Sequence, residues 1–264
     1  MTTGLELLEA ARNVATRAAE FLREQEGRVR PEAWSAKGRA DYVTEVDRES
    51  ERMIAAMLME AVPGSIVVGE ELSPDAPAAR TPNPVFIVDP LDGTTNFLHR
   101  FPMYAVSIAA TVNGVLEAGC VVHVTPGITY TAVRGGGARQ DGRPIAVSDI
   151  AEPILALIGT GFPYNRMEQL PLYQRQFATV VAGAGGVRRP GSAALDLCDV
   201  AAGRYDGFWE LRLAPWDVAA GVLMIREAGG VVTDLANSPD LLGHSAIVAG
   251  NPAIHEWLLK VLPQ

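Results

Sequence analysis

An α/β protein in two parts, an α+β half followed by an α/β half, is predicted by three observations. Apolar residues at helical spacing fill the N-terminal segment, an antiparallel meander centred on Asn113-Gly114 follows, and short apolar strands then alternate with helical segments. The pattern changes between Val147 and Pro153, so the division is placed at residues 1–148 and 149–264. With 264 residues, 48% of them hydrophobic, the chain can bury one large core or two smaller ones.

Taken in order, Leu5, Leu8, Ala11, Ala15, Ala18, Phe21 and Leu22 keep a helical spacing, so residues 5–25 form an amphipathic first helix. A looser segment rich in Arg, Gly and Pro follows. Ile54, Met57, Leu58 and Ala61 mark a second helix from about Thr44, stopped by Pro63-Gly64, with its methionines as core fillers. Ser65 to Val68 and Val85 to Val88 read as brief strands. Ala105 to Val112 and Val115 to Val124 flank Asn113-Gly114, a strong hairpin signal, and Ile128 to Val133 supplies a third strand. Gly135 to Gly142 is read as a hairpin tip and not as a phosphate loop, because no Gly-Lys-Ser/Thr follows. Beyond it, strands at Ile154 to Ile158, Val231 to Thr233 and Ile247 to Ala249 alternate with helices at Leu170 to Ala182, Ala193 to Ala202, Val218 to Ala228 and Ala253 to Leu262. Phe208-Trp209 is read as a further strand leading to Glu210.

The chemistry concentrates where the strand Val85–Val88 runs into Asp89-Pro90-Leu91-Asp92-Gly93-Thr94. Pro90 fixes one backbone angle and Gly93 permits one that a side chain resists. Thr94-Thr95 can then open a helical turn whose free N–H groups seat a phosphate. Carboxylates beside an anion seat imply a hard cation between them, since bare acids repel phosphate. Two more acidic sites stand at element ends: Gly69-Glu70-Glu71 after a strand, and Asp217 at the start of a helix that Gly229-Gly230 stops.

Composition narrows the function classes. A formal net charge of -9 without a dense Lys/Arg run argues against nucleic-acid binding and against an anionic membrane surface, so an anionic substrate must be drawn by something local. No stretch approaches the roughly 18 apolar residues that a membrane span needs, and the early acids of the N-terminus do not read as a signal peptide. Cys120 and Cys198 lie in apolar surroundings and read as small core residues, in keeping with the reducing cytoplasm. His99, His123, His244 and His255 lack metal-ligand spacing and are read as structural or exposed. Arg188-Arg189 could meet a phosphate but is read as a surface pair.

Four segments together carry a resemblance: Asp41-Tyr-Val-Thr44-Glu-Val-Asp47, Gly69-Glu70-Glu71, Asp89-Pro-Leu-Asp92-Gly-Thr94-Thr and Trp216-Asp217-Val-Ala-Ala-Gly221. In order and spacing they resemble the signatures of the inositol monophosphatase family, Mg2+-dependent, lithium-sensitive sugar phosphatases. The resemblance implies a layered α/β/α/β/α sandwich with the active site between two halves, a homodimer, and two to three Mg2+ ions. Glu70, Asp89 and the backbone carbonyl of Leu91 would hold the first ion; Asp89, Asp92 and Asp217 the second; a third, weaker one would sit near Glu70. Thr94, hydrogen-bonded to Asp47, would orient the attacking water, and the Gly93 and Thr94 N–H groups would face phosphate oxygens. Lys37-Gly38-Arg39 would belong to a loop that closes over the metals, although from sequence alone it is equally an exposed linker.

Arg189-Pro190-Gly191-Ser192-Ala193 followed by Glu210 resembles the inositol-contacting positions of the family, with Asp92, Gly93, Thr94 and Asp217 completing the substrate set. A carboxylate such as Glu210, if buried, penalises an alcohol that leaves it unpaired, while from sequence alone it is also a solvated charge beside the Phe208-Trp209 strand. The expected partner is a small phosphorylated polyol. The family also contains fructose-1,6-bisphosphatases, histidinol-phosphate phosphatases and nucleotide 3'-phosphatases, and some bacterial relatives bind transcription machinery, so these stay as alternatives.

Overall fold

The computed structural model describes residues 2–30, 34–38, 41–73, 81–164, 166–243 and 245–263. Arg39 and His244 lie outside these, as do the side chains of Lys37 and Asp41.

Helix α1 (Gly4–Gln25) opens on a reciprocal cap in which the Thr3 hydroxyl and the Glu6 carboxylate satisfy each other's backbone N–H groups. Its Leu7, Ala11, Val14, Ala15, Ala18 and Leu22 form one buried stripe. A short hairpin, β1 (Ser35–Gly38) and β2 (Asp41–Val43), leads to helix α2 (Glu45–Ala61), which is capped in the same way by Thr44 and Asp47. The looser segment expected there therefore holds a hairpin as well.

Next comes a sheet of seven strands: β3 (Ile66–Gly69), β4 (Val85–Asp92), β5 (Ala105–Val112), β6 (Val115–His123), β7 (Ile128–Val133), β8 (Gly137–Gln140) and β9 (Arg143–Pro144), in that spatial order. Between β4 and β5 lies the short helix α3 (Thr94–Leu98). All pairings are antiparallel except β3–β4, which is parallel. The single hairpin tip expected at Gly135 to Gly142 is two tight turns around β8, with Gly135 and Gly142 both at positive φ. Ala138 between them faces the core and holds the strand in the sheet.

The second sheet has the order β11-β10-β12-β14-β13, from β10 (Leu157–Thr160), β11 (Gly186–Arg188), β12 (Gly207–Leu213), β13 (Val231–Thr233) and β14 (Ser245–Gly250). Helices α4 (Leu170–Gly183), α5 (Ala193–Ala201), α6 (Pro215–Glu227) and α7 (Pro252–Val261) alternate with these strands. The strand expected at Ile154 to Ile158 is corrected: Pro153–Leu155 forms a 3-10 turn and the strand begins at Leu157. Pro153 lacks the N–H that a strand ladder uses, and Ile154 and Leu155 point to solvent. β11 was not expected at all, since three residues between glycines carry no alternation.

The stacking is α1 and α2, the seven-stranded sheet, α5 and α6, the five-stranded sheet, then α4 and α7, an α/β/α/β/α sandwich. Three apolar cores fill the spaces between the layers. The middle one joins Ile87 and Val121 of the first sheet to Phe208 and Ile247 of the second through α5 and α6. Gly119 lets α6 lie close on β6, where a Cβ would meet the Ala220 backbone at 3.2 Å. Cys120 and Cys198 are buried free thiols, as their surroundings in the sequence predict. Of the three described histidines, His123 and His255 hydrogen-bond the Pro102 carbonyl and the Thr233 hydroxyl, and His99 meets Trp34 edge-on.

Candidate active site

β3 and β4 run parallel in the register Gly69↔Val88, so the residue that follows β3, Glu70, emerges at the same sheet end as Asp89. β4 is buried along its whole length and carries a bulge there: Asp89 pairs with Ser107 and Asp92 with Ala105, three steps against two. The extra residue bends the strand and re-aims both acids. Leu91 N–H donates to Asp89 Oδ1 at 3.0 Å, closing a local turn across Pro90. Gly93 follows at φ 89°, the left-handed region, where a Cβ would lie 2.9 Å from the Met103 carbonyl. It caps α3.

The rest of the wall arrives from several elements. Asp92 Oδ2 accepts a very short hydrogen bond from Ser192 Oγ and another of 2.9 Å from Ala194 N–H, which clasps β4 to the first turn of α5. Asn96 Nδ2 donates to the carbonyls of Met103 (2.6 Å), Pro190 (2.9 Å) and, more weakly, Gly191 (3.3 Å). Asp217, in the first turn of α6, accepts from Ala214 N–H at 2.7 Å, so its place is set by the helix start itself. Thr94 Oγ1 stands 3.0 Å from Asp47 Oδ1 and 3.1 Å from the Leu91 carbonyl. Asp47 Oδ2 is taken up by Thr44, which leaves Oδ1 to Thr94.

These residues enclose a cavity of about 350 Å3 lined by Glu70, Asp89, Leu91, Asp92, Gly93, Thr94, Asn96, Arg189, Gly191 and Asp217, among others. A neighbouring cavity of about 370 Å3 shares Glu70, Asp92, Arg189, Gly191 and Asp217 and adds Glu210, Arg166 and Arg212. Ser192 and Ala193 are buried and do not line either. Asp47 reaches the cavity through Thr94 alone. Glu210 packs against Gly161, where any Cβ would collide with its carboxylate.

Burial and mutual repulsion dominate the electrostatics. Desolvation, followed by the charges of Glu70, Asp92 and Asp217, pushes Asp89 well above the usual carboxylate range. Asp217 is raised in the same sense by burial, Glu70 and Asp92. Asp92 is lifted by burial to about 6 in spite of its hydrogen bonds from Ser192 and Ala194, and Glu210 is lifted by burial to about 8. No ion pair joins Asp89, Asp92 or Asp217 to a cation among the described residues. Among those residues no three His, Cys, Asp or Glu side chains stand close enough to form a finished metal shell. The donor set is nevertheless what a hard cation takes: carboxylate oxygens gathered round one cavity, mutually destabilised without positive charge.

Residues 5–264 match the inositol monophosphatase family. The chain belongs to that family. An inositol-1-monophosphatase of Mesorhizobium japonicum is 42% identical over 97% of this chain and 96% of its own length. A protein named Nus factor SuhB from Pseudomonas aeruginosa is 41% identical over 97% of this chain and 95% of its own. The crystal structure of the extragenic suppressor protein suhB of Bartonella henselae superposes with a TM-score of 0.87 at 41% identity, covering 96% of each chain. An inositol monophosphatase fold explains why four acids so far apart in sequence share one cavity wall.

Sequence reasoning missed Asn96, Ser50 and Glu51, which brace this cavity from behind. Asn96 looked like an ordinary polar residue of a helical turn. Arg189 keeps the exposed side chain expected of it and leans over the rings of Phe162 (5.2 Å) and Tyr164 (5.0 Å) at the cavity mouth. Ser50 and Glu51 looked like the polar face of an amphipathic helix, and both are buried. Only the distances across the fold reveal them.

Proposed function

We propose that this protein is a Mg2+-dependent phosphomonoesterase that hydrolyses an inositol monophosphate to inositol and phosphate. The observation that carries this reading is the shared cavity of Glu70, Asp89, Asp92 and Asp217 beside the Gly93–Thr94 start of α3. Glu70, Asp89, the Leu91 carbonyl, Asp92 and Asp217 would hold two to three Mg2+ ions, across the junction of halves 1–148 and 149–264. When bound, Mg2+ neutralises phosphoryl charge and acidifies a water, the two needs of a very slow hydrolysis. The Thr94 hydroxyl, held by Asp47, orients the attacking water. Gly93 and Thr94 N–H groups face the phosphate, and Gly191 and Glu210 form the polyol side, with Ser192 and Ala193 buried behind them, where the Ser192 hydroxyl holds Asp92. Glu210 accepts from vicinal hydroxyls when ionised and donates when protonated, and in the metal-free chain burial lifts its pKa to about 8.

Turnover compared across inositol 1-phosphate, fructose 1,6-bisphosphate, histidinol phosphate and 3'-phosphoadenosine 5'-phosphate tests the substrate. A strong preference for histidinol phosphate would overturn the use made of Glu210. Lithium inhibition, a homodimer and a cytoplasmic location follow from the same family reading and are checked by kinetics, sedimentation and fractionation. The similarity to proteins named Nus factor SuhB favours a regulatory role beside catalysis. Binding to transcription machinery that survives Asp217→Asn would separate that role from hydrolysis.

A further inference from the structure

Helix α2 buries three polar side chains on one face, Asp47, Ser50 and Glu51, which are neighbours because residues three and four apart share a helix surface. Each reaches a different part of the site. Asp47 holds Thr94, and Ser50 Oγ donates to the Pro90 carbonyl at 3.3 Å. Glu51 grips the turn that carries Glu70: Glu71 N–H donates to Oε2 at 2.7 Å and Leu72 N–H to Oε1 at 3.1 Å. Just ahead of Glu70, Gly69 is pressed against the same carboxylate, and a Cβ there would collide with Oε1. Gly69 is not at positive φ, so the glycine serves space and not backbone conformation. Its N–H in turn donates to Ser73 Oγ at 2.9 Å, closing the turn on itself.

We propose that Glu51 is a positioning residue that fixes the backbone on both sides of Glu70 and so sets the affinity of the cavity for a divalent cation. This rests on the reading of Glu70 as a metal ligand. Hydrogen bonds from peptide groups to a buried carboxylate are charge-assisted and strong. With the Gly69 packing and the Glu71 amide both tied, the backbone that carries Glu70 is held on both sides. Restraint matters here because Glu70 faces Asp89 and Asp217, whose like charges push it away from the cavity. A turn released from Glu51 would let Glu70 drift outward, and a cation would then have to draw it back.

The test is Mn2+ binding to the intact chain, read as loss of the free-Mn2+ electron paramagnetic resonance signal, in Glu51→Gln, Glu51→Asp and Asp89→Asn. Glu51→Gln places an amide NH2 against a backbone donor and should weaken Mn2+ about 10- to 100-fold, the range found for residues that orient metal ligands. Glu51→Asp keeps the charge at shorter reach and should fall between Gln and wild type. The Mg2+ needed for half-maximal rate should rise in parallel, while KM for inositol 1-phosphate at saturating Mg2+ stays within about twofold of wild type, a split that general destabilisation does not produce. Folded Glu51 variants with wild-type Mn2+ affinity would overturn the proposal. If neither variant folds, hydrogen exchange in the wild type decides: binding and clamping are reciprocal, so Mn2+ must slow exchange of the Glu71 and Leu72 amides, and unchanged rates overturn the proposal. Should Asp89→Asn also bind Mn2+ normally, the metal reading itself fails, which is a different result.

Discussion

Raising the pH of the chelated protein from about 5 to about 8.5 should destabilise it, contrary to the usual behaviour of acids held in ion pairs. An ordinary Asp titrates at 3.8 and an ordinary Glu at 4.5, while folded Asp92 and Glu210 are lifted to about 6 and about 8. Because the folded values are the higher ones, the folded chain holds these protons longer. Stability is then full below the unfolded values and is lost as pH climbs through the folded ones. At about 1.4 kcal/mol per pKa unit, roughly 5 kcal/mol of the combined loss falls between pH 5 and 8.5. Asp89 and Asp217 push in the same direction. His255, whose pKa burial lowers, works against them below its ordinary 6.5. For a chain of this size the result is a melting-temperature fall of roughly 10 °C. Calorimetry in chelator and in millimolar Mg2+ reads it directly, and Mg2+ should restore far more stability at pH 8.5 than at pH 5. Asp92→Asn should flatten the curve near pH 6 and Glu210→Gln near pH 8. A melting temperature in chelator that is flat or rises across this range would refute the reasoning.

Three further outcomes follow from the same geometry. Asp89→Asn and Asp217→Asn should each lower phosphate release from inositol 1-phosphate in Mg2+ by more than roughly 100-fold, yet raise the melting temperature in chelator near pH 8, because each removes a buried like charge. Gly93→Ala forces a side chain into φ 89° and toward the Met103 carbonyl; a loss of at least about 1–2 kcal/mol in urea unfolding is expected, with lower turnover in the folded fraction. Asn96→Ala leaves the Met103 and Pro190 carbonyls without their side-chain donor. It should cost about 1–3 kcal/mol and raise KM severalfold as the Gly191 segment loosens, measured by denaturation and steady-state kinetics.

Where structure depends on neighbours a few positions apart, this chain was legible as written. The apolar periods of α1 and α2, the Asn113-Gly114 hairpin and the Val85-to-Val88 strand are all local signals, and each became an element, although β4 runs on past Val88 to Asp92. Four acidic motifs in a known order were legible too, because a motif is a short-range pattern repeated across relatives. Ile154 misled for the same local reason: an apolar residue after a proline looks like a strand until burial is known.

What tertiary structure alone decided is who meets whom. Parallel pairing of β3 with β4 sets Glu70 beside Asp89, and the bulge between Asp89 and Asp92 turns both toward Asp217. The clasp from Ser192 to Asp92, the Asn96 tether and the Glu51 grip each span a gap in sequence that no residue's neighbours encode. The physical reason is that a carboxylate's chemistry is set by burial and by the charges around it, and those come from layers that stack only when the whole chain has folded.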